Sequence, residues 1–113
     1  MKINDSVNEA ILAFSMGDDE EAERILHECL GEDPENVEAL RALAEVLLSM
    51  KKVEQAEIIC RRALSFEADD LSLMVTLARI LVRKGDKEGA EEASSKARIL
   101  GWKEELAEDE TSN

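Results

Sequence analysis

The feature that most constrains this chain is an internal repeat with a period of 34 residues. Small residues return at this offset, since Ala22 is followed by Ala56 and Ala90. Large apolar residues do the same, with Leu43 followed by Leu77. Three periods nearly fill the 113 residues, so we expect three similar units that bury their apolar faces by stacking on one another.

Each unit carries the apolar pattern of two helices joined by a short turn. In the second unit, apolar residues recur at i, i+3, i+4, i+7 and i+8 in two runs on either side of "MKKV". The first run is Leu40, Leu43, Ala44, Leu47 and Leu48, and the second is Ala56, Ile59, Cys60, Ala63 and Leu64. This spacing predicts an all-α chain, with six helices in its three units.

Glycine, aspartate and proline mark the predicted helix ends. Gly17 suits the left-handed residue that ends a helix, and Asp18 suits the start of the next one. Gly31 and Gly101 are predicted to close the second helices of the first and third units. Pro34 then opens the second unit.

The spacing from the Gly-Asp turn to Ala22, Cys29 and Pro34 resembles the tetratricopeptide repeat. The segments "LRALAEVLLSMKKVEQAEIICRRALSFEAD" and "LMVTLARILVRKGDKEGAEEASSKA" carry the same pattern. The resemblance covers about residues 3–104 and implies a right-handed α-solenoid of three helix-turn-helix units. We place the units at about 3–36, 37–70 and 71–104, and an acidic C-terminal tail at 105–113.

The first helix has two candidate registers. Strict spacing from Pro34 puts Ser6 and Glu9 at core positions. A shift of one residue would instead bury Val7, Ala10, Ile11 and Phe14. Because an N-terminal unit has no predecessor to pack on, the sequence leaves both registers open.

The end of the stack is predicted to carry a short capping segment from Trp102 to Glu108. A last unit leaves an apolar edge, so we expect Trp102 and Leu106 to pack back on it, with disorder from Asp109 onward. The same edge could join copies of the chain, which leaves homo-oligomers open.

No residue pattern indicates catalysis or metal binding. His27 is predicted to be a solvated surface residue, and Cys29 and Cys60 to be packed thiols. The acidic run "GDDEEAE" lacks the spacing of a calcium loop and is better explained as charge favouring a helix N-terminus. We therefore predict a protein that is not an enzyme, with no cofactor and no metal.

Net charge argues against two classes of partner. The formal charge of −13 disfavours nucleic acid bound through its phosphates and an anionic membrane surface. Residues 51–102 are nearly balanced in charge, so a locally basic surface is compatible with an acidic protein.

The start "MKINDSVNEA" lacks the apolar core of a signal peptide, and no apolar run reaches the ~20 residues of a membrane span. We predict a cytoplasmic protein.

The resemblance implies that the first helix of each unit lines a concave groove. The expected groove residues are Val7, Ile11, Phe14, Arg41, Glu45, Leu48, Val75, Arg79, Val82 and Arg83. Arginine makes forked hydrogen bonds to carboxylates, so we expect a ligand with apolar anchors and one acidic group. The predicted function is a non-catalytic protein–protein interaction module, either a scaffold or adaptor or a chaperone-like protein. The alternative is a self-assembling unit that forms homo-oligomers.

One ligand class of the family is excluded by the residue types present. The family's best-understood peptide binders hold a terminal carboxylate with a clamp of lysine, asparagine and arginine. The corresponding positions here are Val7, Ile11, Ala42, Ser72 and Thr76, and none matches. We therefore do not expect recognition of the acidic C-terminal tails of chaperones.

Overall fold

A computed structural model describes residues 3–111 of the chain. The helices are α1 (Ile3–Ser15), α2 (Asp19–Glu32), α3 (Val37–Ser49), α4 (Val53–Phe66), α5 (Leu71–Lys84) and α6 (Lys87–Thr111). No strand occurs within the described range. Consecutive helices pack in pairs, and each pair stacks on the next. The predicted all-α solenoid of three helix-turn-helix units is confirmed.

The helix boundaries follow the 34-residue period without a change of register. The first helices of the three units begin at Ile3, Val37 and Leu71. The first unit therefore keeps the frame counted from its proline, with Ser6 and Glu9 where the second unit has leucines. Ser6 is half-buried and Glu9 is exposed, whereas the two leucines are fully buried. Polar residues at this edge suit the beginning of a stack.

The shifted register describes burial in α1 only in part. Val7 and Ala10 are buried, with 4% and 0% of their surface exposed. Ile11 is 48% exposed and Phe14 is half-buried. Helix α1 packs against α2 and also contacts α3, so the burial of Val7 does not require a change of register.

The turns within the units use left-handed residues, as predicted. Gly17 and Gly85 have φ of 85° and 87°, and Lys51 takes the same role at φ 63°. The prediction that Gly31 and Gly101 close helices is wrong, since α2 runs on to Glu32 and α6 runs on to Thr111. The residues after Gly101 are mostly strong helix formers, which favour continuation of the helix.

Small residues let the paired helices approach closely. Ala22 and Ala56 are fully buried, and Ala90 is 7% exposed. Cys29 and Cys60 are free and buried, which confirms that they are packed thiols. Burial raises the pKa of the Cys60 thiol to about 11, so it stays protonated and unreactive at neutral pH.

The C-terminal half of α6 departs from the prediction. Trp102 and Leu106 are 60% and 63% exposed, so the expectation that they pack back on the last unit is wrong. They lie on a helix that continues straight out of the third unit. Residues 109–111 are helical as well, so the expectation of disorder from Asp109 onward is wrong as far as Thr111. Ser112 and Asn113 lie outside the described residues. The division between 104 and 105 falls inside α6 and stays a prediction.

Candidate functional site

A groove lies where the first helices of the first two units run side by side. It has a volume of about 230 Å³. Its walls come mainly from α1 and α3, with one residue each from α2 and α5. The lining residues are Ala10, Ile11, Phe14, Leu26, Glu38, Arg41, Ala42, Glu45, Val46 and Ser72. The floor is apolar and charged residues stand along one side, which is the usual make-up of a protein or peptide site.

Four of the predicted groove residues come together here. Ile11 and Phe14 form the α1 wall, and Arg41 and Glu45 stand on α3 opposite them. The α1 pair is available because α1 is the first helix and α3 covers only part of it.

The other predicted residues lie elsewhere. Val7 and Leu48 are buried in the core, with 4% and 2% of their surface exposed. A ligand cannot contact them in this structure. Four α5 residues are exposed but do not line the groove. These are Val75, Arg79, Val82 and Arg83.

The expected groove residues leave out six of the ten that line it, namely Ala10, Leu26, Glu38, Ala42, Val46 and Ser72. Ala10 and Ala42 form part of the floor, and Ser72 contributes from the first turn of α5. The available signal was side-chain size, because small residues on facing first helices leave room between them. That signal also marks close helix packing, so it does not single out a groove.

Arg41 is held by carboxylates of its own chain. Its Nη1 donates to Oδ1 of Asp70 at 2.8 Å, and its Nη2 lies 2.8 Å from Oδ2 of the same carboxylate. A weaker contact joins Nη2 to Oε1 of Glu38 at 3.4 Å. The guanidinium and the backbone N–H of Leu73 together hold the pKa of Asp70 below its ordinary value.

Arg79 is held in the same way across two units. Its Nη1 lies 3.0 Å and 3.1 Å from the two oxygens of Glu45. The Thr76 hydroxyl also donates to Glu45 Oε1 at 2.8 Å. Of the three predicted groove arginines, Arg83 alone makes no ion pair with the residues described. Much of the positive charge of Arg41 and Arg79 is therefore balanced by carboxylates of the same chain.

The positions equivalent to the family's carboxylate clamp offer no cation. Val7 is buried, and Thr76 is 3% exposed with its hydroxyl committed to Glu45. Ala42 and Ser72 line the groove but carry no charge. The groove therefore has no fixed site for a chain-terminal carboxylate.

The histidine and the two cysteines lie outside the groove. His27 Nε2 lies 3.1 Å from Glu23 on the exposed side of α2. Burial raises the pKa of the Cys29 thiol, which disfavours its nucleophilic form. Within the described part of the chain, no cluster of histidine, cysteine and carboxylate side chains could hold a metal ion. No helix between residues 3 and 111 is long and apolar enough to cross a membrane.

Comparison with known proteins identifies the class of this fold. A family model described as the tetratricopeptide repeat matches residues 13–74, more than half of the chain. The chain belongs to the tetratricopeptide-repeat family. Among curated proteins, none gives a significant match.

Solved structures match nearly the whole chain. The globular C-terminal domain of LpoP from P. aeruginosa is 27% identical, with a TM-score of 0.79 over 85% of this chain and 94% of that one. The translocator chaperone SycD of type III secretion from Yersinia enterocolitica is 18% identical, with a TM-score of 0.85 over 97% and 84%.

A third similar structure contains a ligand. The second tetratricopeptide domain of Spaghetti (RPAP3), bound to the HSP90 peptide SRMEEVD, is 17% identical, with a TM-score of 0.84 over 88% and 93%. At these low identities, SycD and Spaghetti share the fold with this chain, and their ligands do not carry over to it.

Proposed function

We propose that the chain is a non-catalytic protein-interaction module, acting as a scaffold, adaptor or chaperone-like protein in the cytoplasm. Its ligand is an apolar segment of a partner protein, bound in the groove between α1 and α3. The observation that carries the proposal is the wall formed by Ile11 and Phe14. Ile11 leaves 48% of its surface exposed inside a concavity, where a matching apolar side chain would remove it from water.

The charges around the groove favour a basic flank on the ligand. Arg41 is neutralised by Asp70, while Glu38 projects into solvent with 67% of its side chain exposed. The whole chain carries a formal charge of −13. An apolar anchor next to lysine or arginine therefore fits better than the acidic group we expected from the sequence.

Similar structures support a protein-interaction function, but we expect this chain to bind a different ligand. SycD is a chaperone and the Spaghetti domain binds a peptide, so proteins of this fold engage protein segments. The peptide SRMEEVD is acidic, whereas this groove lacks the cations of the clamp. We therefore propose a different sequence class for the ligand of this chain.

Selection of ligands from a random peptide library tests the proposal, followed by titration of the best peptide into labelled protein. We expect chemical-shift changes at Ile11, Phe14 and Ala42, and selected peptides with apolar anchors. Ile11→Glu should weaken binding at least tenfold, because it places a charge in the apolar wall.

Ile58→Glu is the matched control, since Ile58 is a 66% exposed isoleucine on α4 outside the groove. It should leave binding unchanged. Equal effects of the two variants, or shift changes confined to another surface, would refute the groove as the binding site.

Self-assembly is the second candidate. The observation that favours it is the pair of exposed apolar side chains on the C-terminal half of α6, Trp102 and Leu106. These two side chains lie on α6 and do not line the groove between α1 and α3.

A further inference from the structure

The C-terminal half of α6 presents an apolar stripe to solvent. Ile99, Trp102 and Leu106 are 48%, 60% and 63% exposed. They are spaced by three and then four residues, so they share one face of the helix. This spacing is the seam of a two-helix coiled coil. We call Ile99, Trp102 and Leu106 the α6 stripe.

The stripe points away from the three units. Helix α6 has 25 residues where α4 has 14, so α6 projects about 16 Å beyond the end of the equivalent helix. Glu104 lies about half a turn from Trp102 around the helix and faces the turn between α4 and α5, beside Ala68 and Asp70. The opposite side of the projection, which carries the stripe, is therefore unobstructed by the rest of the chain.

Charges of opposite sign stand beside the stripe. Arg98 precedes Trp102 and Glu105 follows it, seven residues apart and so on the same side of the helix. Lys103 and Glu104 lie between them, and Lys96 is paired with Glu92. Two parallel copies would bring like charges together at both positions. Two antiparallel copies bring Arg98 of one helix against Glu105 of the other.

We propose, building on self-assembly as the second candidate function, that two copies of the chain form a homodimer by antiparallel pairing of their α6 stripes. A two-fold axis near Trp102 makes the surface self-complementary. Ile99 and Leu106 lie on either side of Trp102. The axis therefore places Ile99 of each copy near Leu106 of the other copy. Arg98 of each copy then lies near Glu105 of the other.

The paired surface is small, so we expect the dimer to be weak. Specific interfaces typically bury about 1,200–2,000 Å² in total. A pair of helix segments with three apolar side chains each lies at or below the lower end of that range. We therefore expect a dissociation constant between about 1 μM and 1 mM, a range that sedimentation and fluorescence can both reach.

Trp102 is the only tryptophan of the chain, so its fluorescence reports directly on the interface. Dilution of the full chain from about 1 mM should move the emission to longer wavelength as Trp102 becomes hydrated. Sedimentation over the same concentrations should show the dimer dissociating to the monomer. A monomer at every concentration would overturn the proposal.

Leu106→Glu tests the stripe itself. It should raise the dissociation constant at least tenfold and abolish the concentration-dependent shift of the emission. Leu12→Glu is the matched control, because Leu12 is a 60% exposed leucine on α1, away from the stripe. It should dimerise as the unaltered chain does. A dimer that tolerates Leu106→Glu would use another surface and refute the assignment.

Charge reversal tests the antiparallel arrangement. Arg98→Glu should weaken the dimer, because it places an acidic group against Glu105 of the second copy. Glu105→Arg should weaken it as well, and the double variant should recover most of the loss. In a parallel pair, Arg98→Glu would instead relieve repulsion and strengthen association, and that result would overturn the antiparallel geometry.

Discussion

At the scale of single residues, Asp70 joins two units through one carboxylate. Its Oδ1 accepts a hydrogen bond from the Leu73 N–H at 2.9 Å, which caps α5. The same carboxylate holds Arg41 of α3 through two contacts of 2.8 Å. Both interactions favour the ionised form, so the pKa of Asp70 lies below its ordinary value.

Substitution of Asp70 should separate the two contributions. Asp70→Asn keeps a capping oxygen and loses the charge pair, so we expect the free energy of unfolding to fall by about 1 kcal/mol at neutral pH. Asp70→Ala loses both and should cost about 2 kcal/mol. Urea unfolding of the three proteins measures these differences. An alanine variant as stable as the asparagine variant would contradict the capping role.

The pH dependence of the Asp70→Asn difference has a definite sign. Because the pKa of Asp70 is lower in the folded state, its ionised form stabilises the fold above the unfolded pKa of about 4. This stabilisation is lost as the pH falls through the folded pKa. The gap between the unaltered chain and Asp70→Asn should therefore close on acidification. A gap that does not narrow as the pH falls below the unfolded pKa would exclude the ion pair as its origin.

At the scale of elements, two glycines of similar sequence context have opposite roles. Gly85 ends α5 in the left-handed region at φ 87°. Gly101 lies inside α6, and an added Cβ there would meet no atom within 4 Å. The continuity of α6 through Gly101 is what carries Trp102 and Leu106 away from the third unit.

Alanine at the two positions should shift stability in opposite directions. Gly101→Ala should stabilise the chain by about 0.5–1 kcal/mol, because alanine is the better residue in a helix interior. Gly85→Ala should destabilise it by about 1–2 kcal/mol through left-handed strain. Thermal unfolding followed by circular dichroism measures both. If α6 broke at Gly101, Gly101→Ala would be destabilising instead.

At the scale of the whole molecule, stability should be greatest in the middle of the stack. The second unit has a neighbour on both sides, and α3 and α5, which both pack against α4, each bury seven residues. Among the side chains whose burial is described, α1 buries Val7 and Ala10, and α6 beyond Leu100 buries none. In a stack of units, each contributes through its interfaces, so the ends should open first.

Amide hydrogen exchange tests this distribution of stability. We expect the slowest exchange in α3 and the adjoining face of α4, and the fastest in α1 and in residues 101–111. Measurement at low protein concentration keeps the proposed dimer dissociated. Uniform protection along the chain would show that the three units open together rather than from the ends.

The 34-residue period determined most of the architecture from the sequence alone. Helix formation depends on local apolar spacing, and the same spacing returns at Ile3, Val37 and Leu71, where the first helices begin. The small residues at Ala22 and Ala56 likewise mark the helix crossings, because only a small side chain allows that approach.

Tertiary structure alone decided which side chains remain available for binding. Val7 and Ile11 are both apolar, but packing leaves the first 4% exposed and the second 48% exposed. Arg41 pairs with Asp70, which lies 29 residues further along the chain, so its positive charge is balanced within the chain. Local spacing determines where helices begin and end. Burial and ion pairing depend on which unit lies against which surface, and contacts between distant residues decide that.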